Sequence, residues 1–529
     1  MTIARPGGRR FGRAGTPLIR PGAIGVGGAV ILAVSAFGTG ALPVTGGGPL
    51  GWAAGHGRPP LGLEVGPRTG LQVAYQVGAG FGLALLVGAW IAVGRLVRDH
   101  AITPWALART AAAWAAPLVI APPLFSRDVY SYVVQGAMQR DGLDPYRFAA
   151  ASYGSPLATN VDTFWQHSTA PYGSLFLALA AAVMRLAGSD VVLGVLFFRL
   201  VMALALVATG TLLVGIARRY GIDGGTALWL GILNPLVLLH TVSGAHNDIL
   251  VVALLLGAMA VAARGRPFRA AVLVGAAVLV KVSAVVALVF LVPAAVQQLR
   301  LRGGWRSAFA AAVLLGLVAV ATVGLVTAVT GGWYGWVGAL VDTTRVHNGL
   351  SVSTDLGDLL TWATRDGPFE RLAGGATTVT RGLALLGAGA LVLVVLGRTA
   401  DRPVVGLGLA MVVVVVLGPV VHPWYLLWGF VPLAASTDSR RLRQLVVAGS
   451  VALVCYAVPA GNGLTLPGLA VDAVGLLLGA ACCRRALPLP LVGLPRPGPA
   501  PGGTGTDAAG RAAGSRRRSR APARTAPRP

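Results

Sequence analysis

Apolar runs of about 17–25 residues, the length needed to cross a lipid bilayer, recur along most of this 529-residue chain. Charged residues are scarce between them: 12% of the chain is charged and 55% is hydrophobic. A soluble domain of this size would need far more charge on its surface. The sequence therefore predicts an all-α polytopic membrane protein, folded as a bundle of transmembrane helices.

The runs also give the approximate positions of the membrane spans. The candidate spans are 22–44, 71–94, 104–123, 190–216, 226–241, 248–263, 307–330, 378–397, 404–419, 424–436, 443–460 and 466–483. Residues 172–187 are apolar but short, and they could lie in the interface or pair with a break in the 190–216 run. Residues 270–296 have basic residues at both ends, which predicts a hairpin of two half-helices broken near Lys281.

The net charge of +25 comes from arginines in the two tails and in short loops. This is the distribution that the positive-inside bias produces, and it does not indicate nucleic-acid binding. It predicts a basic cytoplasmic tail over 1–21, a transmembrane domain over 22–487 and a disordered basic cytoplasmic tail over 488–529. The same topology places the polar clusters of the chain on the outer face of the plasma membrane.

The most informative polar cluster follows the third apolar run. Residues 126–141 are expected to form a short amphipathic helix on the outer leaflet, with Ser126 as N-cap and Gly142 ending it. One face of this helix is polar and carries Asp128, Tyr132, Gln135 and Gln139.

Asp128 is the candidate catalytic residue of this helix. It lies in the first turn, where the helix dipole favours an ionised carboxylate. A fixed carboxylate can accept the proton that an attacking hydroxyl loses. The alternative is an Arg127–Asp128 ion pair that only anchors the helix.

Lys281 is the only lysine of the chain and lies within an apolar run. An ammonium at that depth needs an anion, which could be a lipid phosphate or the carboxylate of Asp248. The turn His246-Asn247-Asp248 could bind substrate by hydrogen bonds, cap a helix, or bind a metal together with His240.

Aromatic and polar residues mark two further outer segments. His422-Pro423-Trp424-Tyr425 and Trp428 suit either an interfacial aromatic belt or stacking on a sugar ring. Polar residues of the long loop over 331–375 could shape an acceptor cleft: Asp342, Arg345, His347, Asn348, Asp355 and Asp358. The cysteines Cys455, Cys482 and Cys483 indicate neither a disulfide framework nor a zinc site.

Several of these segments resemble the actinobacterial polyprenol-phosphomannose-dependent α-(1→6)-mannosyltransferases. The resemblance is most specific in Ser-Arg-Asp-Val-Tyr-Ser-Tyr at 126–132 and Gly-Leu-Asp-Pro-Tyr at 142–146, and it extends from about residue 100 to about 435. Supporting matches are Ala170-Pro171-Tyr172-Gly173, Gly244-Ala245-His246-Asn247-Asp248, Lys281 and His422-Pro423-Trp424-Tyr425.

The resemblance implies a GT-C-type helix bundle that uses no metal or other cofactor. Its donor would be a β-linked polyprenyl phosphomannose and its acceptor a growing α-(1→6)-mannan glycolipid, with inversion at C1. Asp128 would be the catalytic carboxylate, and Asp144 or Asp162 would be the second acidic residue that many such enzymes carry. The predicted substrate-binding residues are Arg127, Tyr132, Gln135, Tyr172, His246, Asn247, Asp248, Lys281, His422 and Tyr425.

Two alternatives remain at the level of sequence. The residues alone do not distinguish mannose from another polyprenyl-phosphate sugar, such as arabinose or glucose. A transporter or flippase for lipid-linked sugars would also need polar residues at depth, although repeated halves with matching broken helices would be expected. The expected partners are the lipid-linked donor, the glycolipid acceptor and membrane lipids, and no protein partner is indicated.

Overall fold

The structure, a computed structural model, describes residues 16–44, 52, 70–99, 102–331, 334–343, 350–364, 375–456 and 466–487. These residues form helices and turns, with no β-strand among them. The predicted all-α membrane fold is thereby confirmed. The described residues do not include 1–15 and 488–529 of the predicted tails. They also do not include the loop residues Arg345, His347 and Asn348, or the side chain of Asp342.

The principal helices are numbered here along the chain. They are α1 (Thr16–Thr39), α2 (Gly70–Arg98), α3 (Pro104–Ile120), α4 (Asp128–Arg140), α5 (Ser174–Ala187), α6 (Val191–Arg219), α7 (Gly224–Gly231), α8 (Asp248–Ala262), α9 (Pro267–Val278), α10 (Val292–Gln298), α11 (Trp305–Thr330), α12 (Gly335–Thr343), α13 (Val352–Thr364), α14 (Ala376–Thr399), α15 (Pro403–Val416), α16 (Leu427–Ser436), α17 (Arg440–Tyr456) and α18 (Leu466–Ala486).

Fewer helices are full-length spans than the apolar runs suggested. Within the described ranges, five are long and apolar enough to cross a membrane: α1, α2, α6, α11 and α14. A sixth span is possible if α7 and Pro235–Ser243, bent by 46° relative to each other, are taken together. The runs at 104–123, 248–263, 404–419 and 424–436 instead give helices of 17, 15, 14 and 10 residues. Hydropathy cannot distinguish a full span from a shorter helix that ends inside the bundle, because both are buried apolar segments.

Helix α4 differs most from its predicted position. Residues Val129 to Met138 are all buried, so the helix does not lie on a leaflet. It packs against α5 and α6, and a Cβ added at Gly136 would lie 2.5 Å from the carbonyl oxygen of Ala180. The absence of a side chain at Gly136 lets α4 and α5 approach closely. Amphipathicity identified the helix but not the apolar partner that covers it.

The predicted hairpin broken near Lys281 is confirmed. Helix α9 ends at Val278, and a 3₁₀ segment over Val282–Leu291 leads into α10. Lys281 between them is extended, with φ −146° and ψ 129°. The break also accommodates the short apolar segment at 172–187, because the start of α5 packs there and the Phe176 amide donates to the Leu279 carbonyl at 3.3 Å.

A second break was not predicted. The bent span turns at Ile232–Asn234, where the Asn234 side chain accepts from the Leu236 amide at 3.0 Å. It ends in a π-helical turn over Leu238–Ser243. π-Turns inside helices are frequent at functional sites, and this one leads directly to His246.

Candidate active site

Two loops with strained backbones meet at the candidate site. Phe125 and Ala245 have φ values of 69° and 51°, in the left-handed region that side chains other than glycine seldom adopt. Phe125 lies in the turn that leads to Asp128, and Ala245 directly precedes His246. The Leu124 amide donates to the Ser243 hydroxyl at 3.2 Å, which ties the two loops together.

Asp128 is the first residue of α4, and the Ser126 hydroxyl accepts from its amide at 3.0 Å. The predicted N-cap is wrong by one residue: Arg127 is the N-cap and makes no side-chain cap hydrogen bond, and the helix begins two residues later than expected. One carboxylate oxygen lies 3.5 Å from Nδ1 of His246, and the side chain is 21% exposed. Burial raises the pKa of Asp128 to about 6, while the positive charge of Lys281 and the Ser126 hydroxyl act in the opposite direction.

Arg127 does not pair with Asp128. Its guanidinium is buried and donates to the carbonyls of Asn160 and Leu42, at 2.9 and 3.1 Å. The alternative in which an Arg127–Asp128 ion pair anchors the helix is therefore wrong. Arg127 instead fixes the loops around the start of α4, and this leaves the Asp128 carboxylate directed toward His246.

His246 is fully buried and belongs to an aromatic stack. Its ring lies 3.8 Å from that of Trp424, at an interplanar angle of 19°, and His422 stacks on the same indole at 4.5 Å and 3°. Burial lowers the pKa of His246 well below its usual value, so the imidazole is neutral beside Asp128. An interfacial belt was one of the two alternatives for Trp424, but the residue is buried and both imidazoles stack on its ring.

Lys281 forms an ion pair with Asp248, one of the two anions that the sequence left open. Its ammonium donates to both carboxylate oxygens at 2.9 Å. It also lies 4.4 Å from the ring centroid of Tyr425 and 5.5 Å from that of Trp428. Since Lys281 lowers the pKa of Asp128 through its charge, the pair is close enough to act on the candidate catalytic carboxylate.

Several buried polar atoms around Asp128 have no hydrogen-bond partner in the described part of the chain. Both the amide nitrogen and the amide oxygen of Asn247 are in this state, as is Nε2 of His246, whose Nδ1 faces Asp128 at 3.5 Å. Gln135 Oε1 and the Ser131 hydroxyl add two more on α4, seven and three residues after Asp128. Buried polar groups are nearly always paired in native proteins. Their concentration here points to a polar ligand.

The remaining predicted residues lie around this centre. Tyr132 packs edge-on against Tyr172 and Phe176, at centroid distances of 5.4 and 4.9 Å, and forms an aromatic wall. The two candidates for a second acidic residue have local roles: Asp144 accepts from the Tyr146 amide, and Asp162 accepts from the Phe164 amide.

The metal alternative finds no support in the arrangement of ligands. His240 and His246 lie 5.6 Å apart, centroid to centroid, whereas Asp248 is held by Lys281. Among the described residues, no three His, Cys, Asp or Glu side chains are grouped so that they could hold a metal ion.

Arg199 is a site-supporting residue that sequence reasoning missed. It lies in the first third of α6, is 1% exposed and donates to the carbonyls of Ser243, Val119 and Ala121. These contacts join the end of α3 to the loop before His246. The available signal was a single arginine inside a predicted span, the same signal that identified Lys281.

Comparison with known proteins identifies a family that matches this chain. The family described as "Alpha-(1->6)-mannopyranosyltransferase, N-terminal domain" matches residues 22–297, which include Asp128, His246 and Lys281. The chain belongs to this family. A second family, the "MptB C-terminal domain", matches residues 353–485, which include His422 and Tyr425.

Characterised relatives cover most of the chain. Alpha-(1->6)-mannopyranosyltransferase A of Mycobacterium tuberculosis is 35% identical over 375 residues, covering 69% of this chain and 72% of the relative. Alpha-(1->6)-mannopyranosyltransferase B of Corynebacterium glutamicum is 31% identical over 477 residues, covering 84% of this chain and 77% of the relative. No solved structure matches the chain. As a member of the mannopyranosyltransferase family, this protein is a membrane glycosyltransferase.

Proposed function

We propose that the protein transfers mannose from polyprenyl phosphomannose to a growing α-(1→6)-mannan glycolipid on the outer face of the plasma membrane, with inversion at C1. The observation that carries the proposal is the position of Asp128. It presents a partly exposed carboxylate beside a buried neutral histidine, within a group of unpaired polar atoms. Membership of the mannopyranosyltransferase family supports mannose as the sugar.

In the proposed reaction, the acceptor hydroxyl attacks C1 of the donor while Asp128 takes its proton. The new C1–O bond forms opposite the breaking C1–O(phosphate) bond, so a β-phosphate gives an α-mannoside and polyprenyl phosphate leaves. His246, with its proton on Nδ1, would orient the nearer oxygen of Asp128, which leaves the other oxygen for the acceptor. Positioning of the two substrates supplies much of the remaining rate enhancement.

Lys281 is the proposed contact for the leaving phosphate. The ammonium has three donors, of which at most two are directed to Asp248, and we assign the remaining one to the leaving phosphate. Stabilising the negative charge that develops on the leaving group lowers the barrier. Asn247 and Gln135, whose buried side chains have unpaired polar atoms, are the proposed contacts for sugar hydroxyls.

The test is mannose transfer in washed membranes, from polyprenyl phosphomannose to a short α-(1→6)-mannoside. Asp128→Asn should lower the rate at least about a hundredfold, because a general base contributes that much or more. Asp144→Asn is the matched control, since an asparagine oxygen can still accept from the Tyr146 amide. If the transfer rate of Asp128→Asn falls by less than about tenfold, Asp128 is not the general base. If polyprenyl phosphoarabinose or polyprenyl phosphoglucose supports transfer at the same rate, mannose is not the specific donor sugar.

The proposed sidedness has its own test. Ala151 and Gly303 are exposed residues on loops that the topology assigns to the outer and the cytoplasmic face. An impermeant maleimide should label Ala151→Cys in intact cells, but Gly303→Cys only after permeabilisation. The reverse pattern would place the active site in the cytoplasm.

A further inference from the structure

A cavity of about 1100 Å³ opens at the end of the bundle opposite the active site. The C-terminal ends of α6 and α8, most of the short α10 and the first residues of α15 line it. Helix α8 begins at Asp248 in the active site and ends at Ala262 beside the cavity. At 1.5 Å per residue the two places are roughly 20 Å apart. The cavity is therefore separate from the site described above.

The inner wall of the cavity is apolar. It is formed by Leu212, Ile216, Met259, Phe290 and Val404, among others. Leu212 lies seven residues before Arg219 on α6, so the cavity extends about 10 Å into the bundle. Gly215 faces open space, because a Cβ added there would meet no atom within 4 Å. An apolar wall of this depth can accommodate part of a hydrocarbon chain.

The mouth of the cavity is cationic. Arg219, Arg264 and Arg402 line it, with Asp401 as the opposing charge. Arg402 is paired with Asp438 at 3.2 Å, whereas the exposed Arg219 and Arg264 have no carboxylate partner among the residues described. A neighbouring cavity of about 360 Å³ adds Arg266 and Arg269 and shares Gln298 with the first.

We propose that this cavity binds an anionic phospholipid, with its phosphodiester at Arg219 and Arg264 and an acyl chain along the apolar wall. Guanidinium groups match phosphate oxygens in geometry and charge. Basic pockets between membrane helices are suited to anionic head groups. A soluble phosphate would satisfy the arginines but leave the apolar wall without a partner. The inference goes beyond glycosyl transfer and does not depend on the donor or acceptor.

The test is a lipid titration of the purified full chain in detergent, followed by native mass spectrometry. Dioleoyl phosphatidylglycerol should bind at least tenfold more tightly than dioleoyl phosphatidylcholine. Arg219→Gln or Arg264→Gln should each weaken phosphatidylglycerol binding about fivefold, and the double variant roughly thirtyfold. The double variant Arg98→Gln/Arg218→Gln is the matched control, since it removes two exposed arginines that do not line the cavity.

A charge-neutral variant distinguishes a lipid from a soluble anion. Gly215→Trp places an indole ring in the path of the proposed acyl chain and keeps every arginine, so it should weaken phosphatidylglycerol binding at least tenfold and leave the binding of glycerol 1-phosphate unchanged. Phosphatidylglycerol binding that is insensitive to Gly215→Trp, or no tighter than glycerol 1-phosphate binding, would overturn the lipid assignment. Equal weakening by the control pair would show diffuse surface attraction and overturn the site. Because the readout is lipid binding, loss of mannose transfer would bear only on the proposed function.

Discussion

The Lys281–Asp248 pair allows a test that separates structural support from catalysis. Asp248 is fully buried, Lys281 is 13% exposed, and the ammonium lies 2.9 Å from both carboxylate oxygens. At an effective dielectric constant near 20, two unit charges at that separation attract by about 6 kcal/mol. Removing one partner leaves the other charge buried and unpaired, which typically costs about 3–5 kcal/mol.

The prediction is made on four proteins: wild type, Lys281→Gln, Asp248→Asn and the double variant. Each single variant should lose about 3–5 kcal/mol of unfolding free energy in a detergent titration. The double variant should recover most of that loss, because neither charge is left alone. The exposed ion pair Arg402–Asp438 is the control. The interaction free energy between its two side chains should be too small to detect by the same titration.

Transfer rates in the same four proteins test the proposed phosphate contact. If Lys281 also stabilises the leaving phosphate, the double variant should regain stability while its kcat stays at least about a hundredfold below wild type. A coupling below about 1 kcal/mol would refute the buried-pair reasoning. Transfer that recovers to within about threefold in the double variant would show that Lys281 acts only as a structural partner of Asp248.

Further predictions concern the surroundings of the pair. Burial raises the pKa of Asp128 to about 6, and the base must be ionised to act. We therefore expect kcat/KM to fall about tenfold per pH unit below pH 6 and to level off above about pH 7. A profile that stays flat down to pH 5 would contradict this expectation. Trp424→Ala should lower transfer far more than Trp424→Phe, because phenylalanine retains a ring for both histidines; equal activities would argue against stacking. Arg199→Met should cost at least about 3 kcal/mol of unfolding free energy by leaving buried carbonyls unpaired, and a stable variant would contradict that role. Gly136→Ala should lower the free energy of unfolding by about 1–3 kcal/mol, because the added methyl group pushes α4 away from α5 at Ala180. An unchanged unfolding midpoint would refute the close approach of the two helices.

Local sequence signals were sufficient for the class of fold and for several individual features. Apolar runs predicted a helical membrane protein, and the basic residues flanking 270–296 predicted the break at Lys281, which the structure shows. Gly142 ends α4 with φ 82°, as expected for a glycine after a helix. These features depend on residues adjacent in the chain, and for this reason composition and spacing reveal them.

Local signals failed where a segment's neighbour decides its position. The polar face of α4 suggested a helix on the membrane surface, yet α5 and α6 cover it. Arg127 and Asp128 are adjacent in sequence, but backbone carbonyls from distant loops hold the guanidinium. The sequence left Trp424 open between a belt and stacking on a sugar, because its partners, His246 and His422, are not recognisable as partners from spacing.

The sequence by itself determined that this chain forms apolar helices in a membrane and that Asp128, Lys281 and His246 carry unusual polarity. Burying a charge or an imidazole among apolar residues is costly, so a polar residue within an apolar run can be recognised as unusual from the sequence alone. Only the tertiary structure decided how they are paired: Asp128 with His246, Lys281 with Asp248, and Trp424 with two histidines. Those pairings join residues up to about 180 positions apart, and their geometry is fixed by helix packing and by the backbone turns at Phe125 and Ala245.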